Sequence, residues 1–245
     1  MIATLRENLE QLEDAIAAAC RAAGRSRGEI ELMAVSKTFP AEAMAEAASL
    51  GLTLFGENRV REFASKAARA AELWPGNAPA KKRVNLIGHL QSNKTVRAAE
   101  LFDGIDSLDS LRLAERLNEA AAKFDKRLPV LIEVKLSPEE TKAGVAPESQ
   151  EAAQLLDHLP DLPHLDMQGL MTIAPWGAPE AETRACFRTL RELRHRWADS
   201  YPRLDFGVLS MGMSGDFPLA ISEGATRIRI GTALFGKRQP QAEPE

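Results

Sequence analysis

Apolar residues along this chain change their spacing repeatedly, from helical intervals to short continuous runs and back. Leu5, Leu9, Leu12 and Ile16 recur every three or four positions, which predicts an opening amphipathic helix closed by the glycine-bearing turn at 24–28. Eight short apolar runs follow, at 31–36, 53–56, 84–88, 104–107, 129–134, 167–172, 205–210 and 227–230. Helix-like stretches separate them, over 41–50, 59–73, 91–99, 110–124, 147–159, 181–197 and 216–223. Strands that alternate with helices pair in parallel. Eight such units in 245 residues is the count of an α/β fold of the TIM (β/α)8 barrel type, here with an extra N-terminal helix. An open doubly wound sheet competes, but it would carry a glycine-rich dinucleotide loop after its first strand, and Ser36-Lys37-Thr38-Phe39 is not one. No linker divides the chain, so residues 1–237 are expected to form one domain and 238–245 a disordered tail.

One residue breaks the apolar pattern with chemical consequence. Lys37 ends the first buried run, before Phe39-Pro40 and a helix. A lysine there either snorkels to solvent along its own stem or presents its amine to a functional opening. Partial desolvation lowers the pKa of an amine, so more of it is neutral and able to attack an aldehyde. Lys37 is therefore a candidate Schiff-base lysine.

In a barrel the ligand face lies at the C-terminal ends of the strands, and phosphate is often held after strands seven and eight. Both loops bear glycine here: Ser210-Met-Gly-Met-Ser-Gly-Asp216 and Gly231-Thr232. Small residues let backbone N–H groups approach an anion, and a helix N-terminus adds its dipole. A bare turn with Ser214 as helix N-cap is the alternative for the first loop. A Schiff-base lysine facing a phosphate cup is the requirement of one cofactor, pyridoxal 5'-phosphate (PLP).

The blocks Ala34-Val-Ser-Lys37, Phe55-Gly-Glu-Asn58, Leu86-Ile-Gly-His-Leu-Gln-Ser-Asn-Lys94, Gly169-Leu-Met-Thr172, Leu209-Ser-Met-Gly-Met-Ser214 and Arg229-Ile-Gly-Thr232 resemble the signature blocks of the pyridoxal phosphate homeostasis protein family. These are PLP-binding barrels similar to the barrel domain of alanine racemase. The resemblance runs along essentially the whole chain. It implies that Lys37 forms the covalent aldimine, that Ser210, Gly212, Gly231 and Thr232 surround the phosphate, and that Asn58 lies near the ring or imine. It also implies that Arg229 faces the pyridine nitrogen. A guanidinium keeps its proton at neutral pH, so that nitrogen would stay unprotonated and the cofactor would be a weak electron sink. Lys142 matches a family lysine, with a solvated loop charge as the alternative, and His89 is a candidate lining residue. Lys135 stands where the family usually has asparagine, and Asn85 where it often has histidine, positions expected at the pocket rim or on the surface.

Composition narrows the function further. Net charge is -4, from 31 Lys and Arg against 35 Asp and Glu, which argues against nucleic acid as a partner. The basic cluster Lys81-Lys82-Arg83 reads as a solvated connection, and Cys20 and Cys186 as small core or surface residues of a reducing compartment. No metal-ligand spacing, signal peptide or membrane span is visible, so a cytoplasmic protein is expected.

Two functions of different class fit these residues: a PLP-dependent racemase, or a non-catalytic PLP carrier and regulator. A two-base racemase needs a second proton-transfer group opposite the lysine. In alanine racemases this is a tyrosine from a C-terminal β-domain, and the only tyrosine here, Tyr201, falls before the seventh strand, at its opposite end. An aldolase-like barrel is a third possibility, but it gives no reason for Asn58 and Arg229 together. The carrier reading is preferred, with PLP-dependent apo-enzymes as acceptors, no membrane partner and a monomeric state.

Overall fold

The computed structural model describes residues 4–74, 81–136 and 143–236. Eight strands form a closed parallel barrel in chain order: β1 (Glu31–Val35), β2 (Leu54–Glu57), β3 (Arg83–Leu86), β4 (Gly104–Leu108), β5 (Leu128–Glu133), β6 (Leu165–Met171), β7 (Val208–Ser210) and β8 (Arg227–Ile230). Closure comes from β1 pairing with β8, with Met33 opposite Arg229 and Ala34 opposite Ile230. Around the barrel run α1 (Leu5–Ala22), α2 (Ala41–Ser49), α3 (Val60–Leu73), α4 (Thr95–Leu101), α5 (Leu111–Ala122), α6 (Gln150–His158), α7 (Glu180–Ser200), α8 (Phe217–Ser222) and α9 (Thr232–Phe235). The barrel and the N-terminal helix are thus as the sequence predicts.

Local departures have physical causes. The helix expected from residue 91 begins at Thr95, after a 3-10 turn over Ser92–Lys94. β7 is shorter than its apolar run because the Asp205 carboxylate accepts the Gly207 N–H at 2.8 Å and holds a turn there. Lys82 is buried rather than solvated: it shares the strand parity of Val84 and Leu86, which face the helix layer. Cys20 and Cys186 are both buried. Lys142 and the C-terminal tail lie outside the described residues.

Helix α1 is tied beneath the last β/α unit. Thr4 and Glu7 close a capping box at its start. Asn8 Nδ2 donates to the Leu234 carbonyl at 2.9 Å, and Arg25, just past the helix, donates to the Ile221 and Ala225 carbonyls at 3.0 and 2.7 Å. The N-terminal segment therefore braces α9 and the turn between α8 and β8.

Most of the core lies between the strands and the helices. The barrel lumen is layered. Its N-terminal end holds charged groups: Arg227 meets Asp106 at 3.0 Å and Glu31 at 2.8 Å, and Asn85 donates to Asp106 at 2.7 Å. Asn85 is thus an interior residue, neither rim nor surface, because alternation along β3 turns it into the lumen. Above sits a small apolar plug of Met33, Val35, Leu54 and Ile87. Gly56 makes room for it, since a Cβ there would fall 2.7 Å from Met33 Sδ. No described helix is long and apolar enough to cross a membrane.

Arg227 and Asp106 are 3% and 1% exposed, so removing one partner strands a buried charge. Arg227→Met is expected to cost about 3–5 kcal/mol in urea denaturation, and Arg227→Met with Asp106→Leu markedly less. Equal losses in the two variants would show that the ion pair itself is not what the lumen depends on.

Candidate functional site

A cleft of about 1140 Å³ opens at the C-terminal end of the barrel. Lys37, Asn58, Arg229, Gly231 and Thr232 all line it, joined by Met213, Ser214 and Gly215 from the loop after β7. Val35, Ile87 and Ile173 supply apolar wall, and the 89% exposed Trp176 stands at the rim. Strand closure explains the grouping, because β1 delivers Lys37 beside the Gly231-Thr232 turn of β8.

The turn that carries Lys37 is clamped from below. Buried Ser36 donates its hydroxyl to Glu57 at 2.6 Å. Lys66, reaching in from α3, meets the same carboxylate at 2.8 Å and donates to the Ser36 and Phe39 carbonyls at 3.0 and 2.8 Å. Thr38 adopts a left-handed conformation, φ 69°, and its N–H is held by the Glu62 carboxylate. Phe39 stacks on Phe235 with ring centroids 4.9 Å apart, fastening the lysine turn to α9. Burial pushes the Glu57 carboxyl up, against the pull of Lys66 and the Ser36 hydrogen bond.

Arg229 ties strand ends together. Its Nη1 donates to the Ser210 carbonyl and hydroxyl at 2.6 and 3.0 Å, and its Nη2 to the Thr172 carbonyl at 2.8 Å. Burial pulls the guanidinium below its ordinary value, and it remains charged at neutral pH. Ser210 and Gly212, the other two residues expected at the phosphate, are not among the residues that line this cleft. Ser210 Oγ supports Arg229, and Gly212 accepts the Arg229 backbone N–H at 2.9 Å. Gly212 has φ 93°, and a Cβ there would lie 2.5 Å from that of Ala220, so the reversal into Met213–Gly215 requires glycine. Ser214 is not a helix N-cap; Asp216 occupies that position, while Ser214 Oγ accepts the Ala233 N–H at 3.2 Å and links the two loops.

Sequence reasoning missed the two carboxylates beneath the site, Glu57 and Glu133. The available signal was a charged residue at the end of an otherwise apolar strand, the same signal that exposed Lys37. Glu133 lines a smaller chamber with His89 and Lys135, and the His89 ring meets Asp109 at 3.0 Å. Among the described residues no metal-binding cluster occurs.

Burial drives the Glu133 carboxyl from 4.5 up to about 7, partly opposed by Arg229. The folded chain thus holds this proton to higher pH than the unfolded chain does. Its contribution to stability is complete below about 4.5 and is lost as pH rises through about 7. Glu133→Gln should flatten that fall, by up to about 3 kcal/mol, in denaturation series across the window. An unchanged slope would mean that Glu133 titrates normally.

Comparison with known proteins agrees with this geometry. Residues 7–239 match the family model of the alanine racemase N-terminal domain. The pyridoxal phosphate homeostasis protein of Vibrio cholerae is 41% identical over 236 residues, covering 96% of this chain and 97% of the relative. PipY of Synechococcus elongatus superposes in its PLP-free structure with a TM-score of 0.83 at 39% identity, covering 95% of this chain and all of PipY. Its structure with PLP bound superposes with a TM-score of 0.78 at 40% identity, over 90% of this chain and again all of PipY. Alanine racemase of Clostridium difficile shares the fold at 17% identity and a TM-score of 0.69, with 98% of this chain covering 58% of that one. A likeness this long and this close places the chain in the pyridoxal phosphate homeostasis protein family.

Proposed function

We propose that this chain binds PLP covalently through Lys37 and serves as a carrier and regulator of the cofactor, turning over no amino acid. The observation that supports it best is the convergence of Lys37, Arg229 and the Ser214–Gly215 and Gly231–Thr232 loops on one cleft. Their donor chemistry fits the cofactor: an amine for an aldehyde, apolar walls for a ring, and hydroxyls with small-residue backbone for a phosphate. PLP bound to PipY supports the same reading.

Each residue has a role in this reading. Lys37 Nζ bonds to the cofactor's aldehyde carbon with loss of water, on a turn that the Lys66–Glu57 clamp keeps in place. Val35 and Ile87 exclude water from the ring's edge, and Asn58 lies alongside. Ser214, Gly215, Gly231 and Thr232 hold the phosphate, while Ser210 and Gly212 set Arg229 and the loop from behind. Arg229 faces the ring nitrogen and keeps it unprotonated. When bound, PLP supplies an electrophilic carbon that can be shielded from stray amines and later released.

Support for a carrier over a racemase comes from the lining. Among the described residues it includes no tyrosine, histidine or cysteine. Its two carboxylates are engaged elsewhere: Asp216 accepts the Met213 N–H, and Glu180 pairs with Arg184 at 3.0 Å. Tyr201 caps the far end of α7. Among the described residues that line the cleft, a transition state with carbanion character thus has no tyrosine, histidine or cysteine beside Lys37 as a second proton carrier. Acceptance of PLP by apo-enzymes, a monomeric state and a cytoplasmic location belong to the same proposal.

Phosphate recognition predicts a contrast between vitamers. Thr232→Ala with Ser214→Ala should weaken PLP about a hundredfold, roughly 3 kcal/mol from two charge-assisted hydrogen bonds, and leave pyridoxal nearly unchanged in equilibrium dialysis. Equal weakening of both vitamers would remove these loops from the phosphate site.

The functional test follows the loaded protein with each common amino acid, scoring racemisation, decarboxylation and transamination, alongside PLP transfer to an apo-enzyme. Transfer without turnover is expected. Repeated turnover that Lys37→Ala abolishes would establish an enzyme instead.

A further inference from the structure

Residues 36–39 form a β-turn: the Phe39 N–H donates to the Ser36 carbonyl at 3.1 Å, and Lys37 and Thr38 are the two central residues. Thr38 sits at φ 69°, a left-handed backbone that a β-branched residue adopts only under strain. Two side chains one helical turn apart on α3 hold it there. The Glu62 carboxylate accepts the Thr38 N–H, and Lys66 donates to the carbonyls at both ends of the turn, Ser36 at 3.0 Å and Phe39 at 2.8 Å. Lys66 also meets Glu57 at 2.8 Å and Glu62 at 3.6 Å, with its side chain only 11% exposed.

An ammonium has three donors, and where they point indicates what the residue serves. If Lys66 only balanced Glu57, its remaining donors would be best placed on the second oxygen of that carboxylate. Glu57 Oε2 is instead buried without a hydrogen-bond partner, while Lys66 reaches the backbone on either side of Lys37. Neither Lys66 nor Glu62 lines the cleft, so both act on a ligand there through the turn.

We propose that Lys66, with Glu62, is a positioning residue for Lys37: the pair holds a strained turn in the conformation that aims the Lys37 amine at an aldehyde in the cleft. The inference deepens the covalent-binding reading and rests on it. In that reaction Nζ forms a double bond to the aldehyde carbon, and both protons of the neutral amine leave with the aldehyde oxygen as water. Lys66 takes no part in those bonds and controls only where Nζ lies. Releasing the turn should therefore affect ligands that carry an aldehyde and spare those held by ring and phosphate alone.

The probes are PLP and pyridoxine 5'-phosphate, which has the same ring and phosphate but an alcohol in place of the aldehyde. Each is measured by equilibrium dialysis. Lys66→Met combined with Glu57→Gln keeps the stem and strands no buried charge. It should weaken PLP about tenfold or more, with loss of the adduct's absorption band, and leave pyridoxine 5'-phosphate within about twofold of wild type. Adding Thr38→Gly removes the strain of the left-handed position and should restore most of the PLP affinity. A role confined to neutralising Glu57 would not respond to residue 38. Glu62→Ala releases the Thr38 N–H from the opposite side and should show the same contrast between the two ligands; it decides the matter if the Lys66 variant fails to fold. Equal weakening of both ligands, no weakening of either, or no recovery with Thr38→Gly overturns the positioning role. Borohydride reduction and peptide mapping of wild type judge the underlying reading separately. A cofactor fixed to another lysine sinks that reading, whereas one fixed to Lys37 with both ligands weakened alike sinks only the role of Lys66.

Discussion

Closure of the barrel between β1 and β8 is the constraint on which the rest depends. It sets Met33 opposite Arg229 and Ala34 opposite Ile230, so the lysine turn after β1 lies beside the Gly231–Thr232 turn although nearly the whole chain separates them. The Phe39–Phe235 stack and the bracing of α9 by Asn8 fix that juxtaposition from outside. A parallel barrel gathers all its loops of one polarity on one face. The site is thus a consequence of topology before it is one of side-chain chemistry.

Charge is distributed unequally along the lumen. At the N-terminal end Arg227, Asp106, Glu31 and Asn85 satisfy one another, which is the condition for burying ions without loss. At the C-terminal end two carboxylates, Glu133 in the lumen and Glu57 between β2 and α3, each keep an oxygen that no donor reaches. Both have carboxyl groups raised by burial. Incomplete pairing under the ligand face, and complete pairing at the other end, separates the end that works from the end that stabilises.

Most of this architecture was legible in the sequence, because each strand is a short apolar run between helical patterns. Lys37, Asn58, Arg229, Gly231 and Thr232 were also legible, and the cleft lining brings them together. Less legible was depth. A motif names Ser210 and Gly212 but does not show that they also hold Arg229, Ser210 through its hydroxyl and Gly212 through its carbonyl. Asn85 failed because the period-two alternation that turns it inward is weak evidence in a four-residue strand. The Lys66–Glu57–Ser36 clamp joins three separate elements, and no local spacing announces it.

The most direct measurement is an experimental structure of the PLP-loaded protein. The account predicts density continuous from Lys37 Nζ to the cofactor, the ring nitrogen facing Arg229, and the phosphate among Ser214, Gly215, Gly231 and Thr232. A cofactor attached to another lysine, or lying with its phosphate away from these two loops, would contradict it.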